Sequence, residues 1–424
     1  MAGGRKGGSF SYGRVFSRRQ FMLGSLVGAS LLPWWRQLGE KSLREEGAAP
    51  VSAEEPRKRL RELGIVIGKY SPGNYNAITD VEGVWVGHTT IIRNLADASG
   101  RERRIRTGVT VILPNHGDVY REHLFAAFFN QNGWGEMTGI APLQEEGRLK
   151  TPIFLTGTHN VGLVYDAAVS HLLRECPGIL EERVIPSPVV AECFDGYLSD
   201  YQERMITEAD VLEAIRGAKG GSVEEGGVGG GTGMTTFGFK GGIGTSSRRL
   251  SRDKGGCTVG VLVMSNTASR EQLRVDGVPV GKEMEKWDRN TPGGSKSIIL
   301  IAATDAPLFS FQLRKIAKRV VMGLAQTGAT SNTSSGDLIL AFSTGNRLPA
   351  RGSSHPRQII AVNEELITPL YQATVEATQE AILNSLTMAH TMEGKGGNIA
   401  PAIPLDRLVQ IMKRYYRLEG RRDD

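Results

Sequence analysis

The sequence predicts a layered α/β sandwich, and three observations carry that prediction. Short β-branched runs alternate with segments of helical spacing, glycine and proline mark the ends of the runs, and no internal repeat interrupts them. A chain of 424 residues is long enough for one large α/β domain. An apolar fraction of 40% and an aromatic fraction of 7% suit a chain that buries a core. Glycine is the outlier, with 54 residues clustered at strand ends and in one tract. That placement points to tight turns and close backbone approaches, not to a linker.

In chain order, residues 1–45 read as a twin-arginine signal segment. Ser17-Arg18-Arg19-Gln20-Phe21-Met22 is followed by a modestly apolar run from Leu23 to Trp35, shorter than the ~20 residues of a membrane-spanning helix. The competing reading is a basic amphipathic helix on a membrane surface. An exported, periplasmic protein is the expectation, without stable membrane insertion unless the leader stays uncleaved. Residues 46–58 read as a polar linker, and the folded domain as 59–424, beginning near Leu60.

Asn76 to Ile91 looks like a hairpin of two short alternating runs. Arg106–Pro114, Ile153–Thr156 and Val189–Glu192 read as strands, and Val161–Leu173 as a helix. A helix over Ala209–Ile215 stops before the tract Gly226-Gly-Val-Gly-Gly-Gly-Thr-Gly233, which leads into strand-like sequence from Phe237 to Arg248. Thr258–Met264, Ser297–Ala303 and Leu338–Phe342 are buried strands. Leu313–Met322, Leu370–Met392 and Leu405 to about Leu418 are helices.

The net charge of +6 is concentrated at the termini, and no basic stripe with interleaved aromatics exists, so nucleic-acid binding is not expected. Three isolated cysteines without CxxC spacing and seven scattered histidines without HExxH imply neither a disulfide framework nor a metal, and no cofactor is expected. The glycine tract misses the register of the dinucleotide fingerprint and is preceded by a helix, not a strand. It reads as backbone passing close to something, with a substrate pocket as one option.

Four places could carry chemistry. Ser297 stands where Thr291-Pro-Gly-Gly-Ser-Lys296 enters the apolar strand; such a serine is ordinarily a turn residue. Ser335 and Asp337 open the strand Leu338–Phe342, either as a turn or as a hydroxyl and carboxylate aimed at the cleft of Ser297. Glu192 and Asp195 end another strand, where acids commonly cap turns. Asn266 follows Met264 and would either satisfy a loop or donate to a developing oxyanion.

Longer motifs decide between these readings. Asn76-Ala-Ile-Thr-Asp-Val-x-Gly-Val-x-Val-Gly-His-Thr-Thr, Arg106-Thr-Gly-Val-Thr, Asn132-Gly-x-Gly-Glu-Met-Thr-Gly139, Gly227-Val-Gly-Gly-Gly-Thr-Gly-Met234, Lys240-Gly-Gly-Ile-Gly-Thr-Ser-Ser-Arg248, Gly277-Val-Pro-Val-Gly281 and Ser297-Ile-Ile…Ala303-Thr-Asp-Ala-Pro307 are collinear. They resemble the DmpA/β-aminopeptidase family over residues 60 to 415. The resemblance implies an αββα four-layer sandwich like that of N-terminal-nucleophile hydrolases. It implies a precursor that cuts itself between Lys296 and Ser297 into 59–296 and 297–424, with Ser297 as nucleophile.

By the same resemblance, Ser335 and Asp337, 38 and 40 residues downstream, support the nucleophile. Asn266 helps form the oxyanion hole, and Glu192 holds the free ammonium of a small peptide, aminoacyl amide or ester. Lys296 stands where glycine or asparagine is more familiar, and Phe194, a substrate-side residue, where a tyrosine can occur. A homo-oligomer is implied, tetramers being the family tendency. Two alternatives stay open: an unprocessed relative that binds peptides or amines without cutting them, and an aminoacyl transferase using the same acyl intermediate. The choice among L-α, D-α and β-aminoacyl groups is set by pocket shape, which sequence does not specify.

Overall fold

Two sheets stacked face to face, each with helices on its outer side, build the protein in a computed structural model that describes residues 56–97, 99–116, 118–177, 186–285, 296–350 and 355–415. The twin-arginine segment and the loop just before Lys296 lie outside the described residues. The domain opens with a short turn at Leu60–Leu63, ended by Gly64 at a φ of 76°. Arg57 donates to the Thr387 and Ile403 carbonyls, and Arg61 pairs with Glu380 at 3.0 Å. The start of the folded chain is therefore fastened to its C-terminal part.

The strands run β1 Trp85–Ala96, β2 Glu102–Leu113, β3 Glu122–Gly133, β4 Arg148–Leu149, β5 Ile153–Gly157 and β6 Val189–Cys193, then the short pair β7 Thr235–Thr236 and β8 Phe239–Lys240. After these come β9 Gly242–Arg249, β10 Thr258–Asn266, β11 Ser297–Thr304, β12 Gly336–Pro349, β13 Met392–Glu393 and β14 Ile399–Ala400. The helices are α1 Ile140–Glu146, α2 Val161–Glu175, α3 Glu208–Arg216, α4 Val280–Glu285, α5 Ser310–Gln326, α6 Glu364–Thr387 and α7 Leu405–Arg414.

One sheet has the order β1-β2-β5-β6 and the other β4-β3-β12-β11-β10-β9. Among the described residues only β5–β6 and β11–β12 pair parallel in them, and each of these pairs is joined through a helix, α2 and α5 respectively. A parallel pair requires such a crossover.

Alternation along each central strand divides its side chains between two cores. Ile298, Leu300, Val261, Val263 and Ile339 pack beneath α5 and α6, while Ile299, Ile301, Leu262, Met264, Leu338 and Leu340 meet Ile112, Leu155 and Ala191 of the facing sheet. A third core, with Val109, Phe154, Val164, Ala168 and Val211, joins the four-stranded sheet to α2 and α3. The layers are helix, sheet, sheet, helix, as the family resemblance implies. Because β10, β11 and β12 are covered on both faces, they read in sequence as continuous apolar runs.

The structure corrects several boundaries. Asn76 to Ile91 is no hairpin: Ile78–Asp80 is a single turn, and β1 pairs with β2 from Trp85↔Leu113 to Ala96↔Glu102. The helix expected over Leu370–Met392 begins at Glu364, tolerates Pro369 within its second turn and ends at Thr387. The strand β3 was not foreseen at all.

The glycine tract is also reassigned. A Cβ on Gly230 would fall 2.5 Å from the Leu155 carbonyl oxygen of one sheet, and one on Gly231 2.5 Å from the Ile243 nitrogen of the other. The Gly229 and Gly230 amides donate to Thr90 Oγ1 and Thr110 Oγ1 at 2.8 and 3.1 Å. What the tract approaches is the backbone of both sheets. Among the described residues, none of this tract lines the cleft described below. Lys240, fully buried, pins it by donating to the Gly231, Met234 and Gly241 carbonyls at 3.1, 2.9 and 2.6 Å.

Candidate active site

Three neighbouring strands end together at one edge of the six-stranded sheet. In the antiparallel pair β10–β11, Asn266 stands opposite Ser297; in the parallel pair β11–β12, Ile298 stands opposite Asp337. Ser297 is therefore level with Gly336, whose N–H donates to Ser297 Oγ at 3.1 Å. Ser335 donates to Asp337 Oδ1 at 2.6 Å. Residues distant in sequence meet here because the crossover through α5 returns β12 to the side of β11.

Alternation separates the hydroxyl from the acid. Ser297 shares its face with Ile299 and Ile301, between the sheets, whereas Asp337 shares its face with Ile339 and Ala341, beneath the helices. The Ser335–Asp337 pair thus flanks the main chain at Lys296–Ser297 from the side away from Oγ. Both residues are fully buried, and neither lines the open cleft. Burial pushes the Asp337 pKa up, opposed by the Ser331 and Ser335 hydroxyls. Only Ser335 is close and aligned enough to form a hydrogen bond, so among the described residues Oδ2 has no partner.

A cleft of about 430 Å³ opens in front of Ser297, lined by Gly133, Trp134, Gly135, Glu136, Thr158, Glu192, Phe194 and Ser297. Glu192 reaches it from the end of β6, on the facing sheet, and is 5% exposed. Its Oε1 accepts from the Glu136 N–H at 3.1 Å, and its Oε2 from the Thr158 hydroxyl. Burial pushes the Glu192 pKa up; the Thr158 and Glu136 hydrogen bonds oppose that, the Glu136 charge adds to it, and His159 draws it down. Asn266 Oδ1 accepts from the Thr235 N–H at 2.8 Å, and its Nδ2 donates to the Phe194 carbonyl at 3.0 Å. Lys296, half-buried, donates to Ser269 Oγ; burial lowers its pKa while Glu271 opposes.

The model of peptidase family S58 matches residues 76–400, a span that holds every one of these groups. The chain belongs to peptidase family S58. It is 40% identical over 380 residues to the β-peptidyl aminopeptidase BapA of Sphingosinicella xenopeptidilytica, covering 86% of this chain and 93% of that protein. Among solved structures, a β-aminopeptidase from a Burkholderia species superposes with a TM-score of 0.78 at 42% identity, over 84% of this chain and 99% of that one. The L-aminopeptidase D-Ala-esterase/amidase of Ochrobactrum anthropi, described as a variant of the Ntn-hydrolase fold, gives a TM-score of 0.79 at 38% identity, over 86% and 100%.

Within this S58 chain, the structure gathers Ser297, Asn266, Ser335 and Asp337 on one sheet edge and places Glu192 and Phe194 across the cleft. Phe194 packs edge-on to Tyr201 at 5.0 Å between ring centroids, with His159 4.7 Å from Tyr201. Lys296 points to Ser269, and its main chain carries the bond before Ser297. Sequence reasoning missed Thr158, the Gly336 amide and the Trp134–Glu136 loop. Thr158 had one legible signal, the run Thr156-Gly-Thr-His-Asn160 that follows the apolar stretch Ile153–Leu155. The Gly336 amide had none.

Proposed function

We propose that this chain is a self-processing serine aminopeptidase/amidase that releases N-terminal aminoacyl groups from peptides, amides or esters. Membership of a peptidase family whose similar proteins are aminopeptidases makes it a hydrolase of that class. The observation that carries the mechanism is the position of Ser297, at the first residue of a buried strand and lining the cleft, with the buried Asp337 in register with Ile298 on the other face of the sheet.

In maturation, Ser297 Oγ attacks the Lys296 carbonyl carbon. An ester forms as the C–N bond breaks, the hydroxyl proton passing to the serine nitrogen. Water then hydrolyses the ester, leaving a Lys296 carboxylate and a free Ser297 amine. That amine, with a typical pKa of about 7.7–8.0, is the general base that takes the Oγ proton when Ser297 attacks a substrate carbonyl. Asp337, oriented by Ser335, stabilises the resulting α-ammonium. Asn266 donates to the oxyanion, a contact worth roughly 3–4 kcal/mol in such sites. The acyl-enzyme releases its acyl group to water.

Glu192 binds the substrate's own ammonium. A buried carboxylate without a cation is costly, so substrates blocked at the N-terminus bind poorly. Phe194 supplies an apolar wall. The twin-arginine pattern supports export to the periplasm, which fractionation of cells expressing the full chain tests. A homo-oligomer follows from the family resemblance, and analytical ultracentrifugation checks it.

The function is tested with aminoacyl p-nitroanilides and their N-acetyl counterparts. Hydrolysis of the free-amine substrate only, abolished by Ser297→Ala, is the expected result. Equal hydrolysis of both, or activity surviving Ser297→Ala, contradicts the proposal.

A further inference from the structure

The described lining of the cleft contains one large apolar side chain that the fold does not use. Trp134 is 70% exposed, whereas indoles are normally well buried. Its neighbours are Gly133 and Gly135, and the loop backbone is fixed at both ends. Asn132 Nδ2 donates to the Asn332 carbonyl and the Trp134 N–H to the Ser335 carbonyl, at 2.5 and 3.3 Å. The Glu136 N–H holds Glu192. A Cβ on Gly135 would lie 3.1 Å from Gly336 Cα and 3.3 Å from Glu192 Oε1, so the backbone beneath the indole is packed tight. Trp134 is thus an exposed aromatic on a firm base.

The loop also has a direction. Its Trp134 end is bonded beside the strand of the nucleophile, and its Glu136 end is bonded to Glu192. A substrate with its ammonium on Glu192 and its carbonyl at Ser297 has its leaving group beyond Ser297, toward Trp134. We infer that Trp134 is a specificity-determining residue for the leaving group, and that it favours an apolar, above all aromatic, leaving amine. The electrostatics agree: among the described lining residues two are acids, Glu136 and Glu192, and none is basic. An acidic leaving residue is therefore disfavoured. This inference rests on the aminopeptidase proposal above and names the substrate class of that same site.

The test compares two substrates with one aminoacyl group, an anilide and the simple carboxamide that releases ammonia. Trp134→Ala should lower kcat/KM for the anilide about tenfold, the scale of one lost apolar contact, while leaving the carboxamide and the two-fragment maturation unchanged. Trp134→Phe should recover most of the anilide rate. An equal fall on both substrates, no fall on either, or a change of sedimentation in Trp134→Ala would overturn the inference. Absence of hydrolysis of both substrates by the wild-type enzyme would sink the aminopeptidase proposal along with it, whereas the variant outcomes sink this inference alone.

Discussion

Glu192 and Asp337 are two buried carboxylates at strand ends, each with its pKa pushed up by burial, yet they are built differently. Glu192 opens onto the cleft and has both oxygens hydrogen-bonded, by a threonine hydroxyl and a main-chain N–H. Asp337 is sealed under the helices, takes one hydrogen bond from Ser335 and has no partner at Oδ2 among the described residues. A carboxylate facing solvent can wait for a cation that arrives from outside. A sealed one suits a cation made inside, and the α-ammonium of a cut Ser297 is such a cation. Under the proposed function Glu192 binds substrate and Asp337 serves catalysis, and what separates the two is the face each is offered to, not burial.

Removing the charge from each acid separately breaks or upholds that contrast. Asp337→Asn, which keeps the volume, should lower kcat at least about 10³-fold, because the ammonium of the base loses its stabilising charge; stopped-time assays on the matured fraction measure it. Asn266→Ala should cost about 10²–10³ in kcat, the range of a lost oxyanion donor. Glu192→Gln should raise KM for free-amine substrates about a hundredfold and change self-cleavage by less than a few fold, read by denaturing electrophoresis. Equal losses in KM and self-cleavage would end the division of labour between the two acids.

The pH profile sharpens the same contrast. An acid with a raised pKa is protonated at a higher pH than an ordinary glutamate, and protonated Glu192 cannot hold an ammonium. In wild-type enzyme kcat/KM should therefore fall once as the Ser297 amine protonates and more steeply where Glu192 protonates, at a pH above the usual glutamate value, and Glu192→Gln should remove only that second steepening.

The smallest effect belongs to Lys240. Burial lowers its pKa from 10.5 to about 7, against three accepting carbonyls. Between those values the unfolded chain binds more protons, so this group's contribution to stability grows as pH rises and is lost as pH falls through about 7. Thermal unfolding of Ser297→Ala and of Ser297→Ala/Lys240→Met at pH 6.5 and pH 9 should show the difference between them widening at pH 9. The methionine itself should cost about 1–3 kcal/mol through its unpaired carbonyls.

The strands that carry the site were legible because both their faces are buried. Thr258–Met264, Ser297–Ala303 and Leu338–Phe342 are largely apolar runs; the first two gain one or two residues at one end in the structure, and the third extends from Gly336 to Pro349. Their neighbour β3 was not legible, since His123-Leu-Phe-Ala-Ala-Phe-Phe129 lacks strong period-2 alternation. Dense glycine misled in the opposite way. The tract at 226–233 reads as backbone passing close to something, and what it approaches is the backbone of both sheets, not a substrate pocket. Gly133 and Gly135 entered only as part of a family motif, and the close approach of Gly135 to Gly336, where a Cβ would lie 3.1 Å from the Gly336 Cα, had no local signal. Which strands are neighbours, and which face a side chain takes, depended on a crossover that local sequence does not encode.

The central claim is that Ser297 works through its own freed amine. Time-resolved N-terminal sequencing of freshly purified protein, with p-nitroanilide hydrolysis assayed on the same samples, tests it most directly. Activity should rise in proportion to a new fragment beginning Ser297-Ile298-Ile299. Full activity in the uncut chain, or a fragment that begins elsewhere and carries the activity, would contradict it.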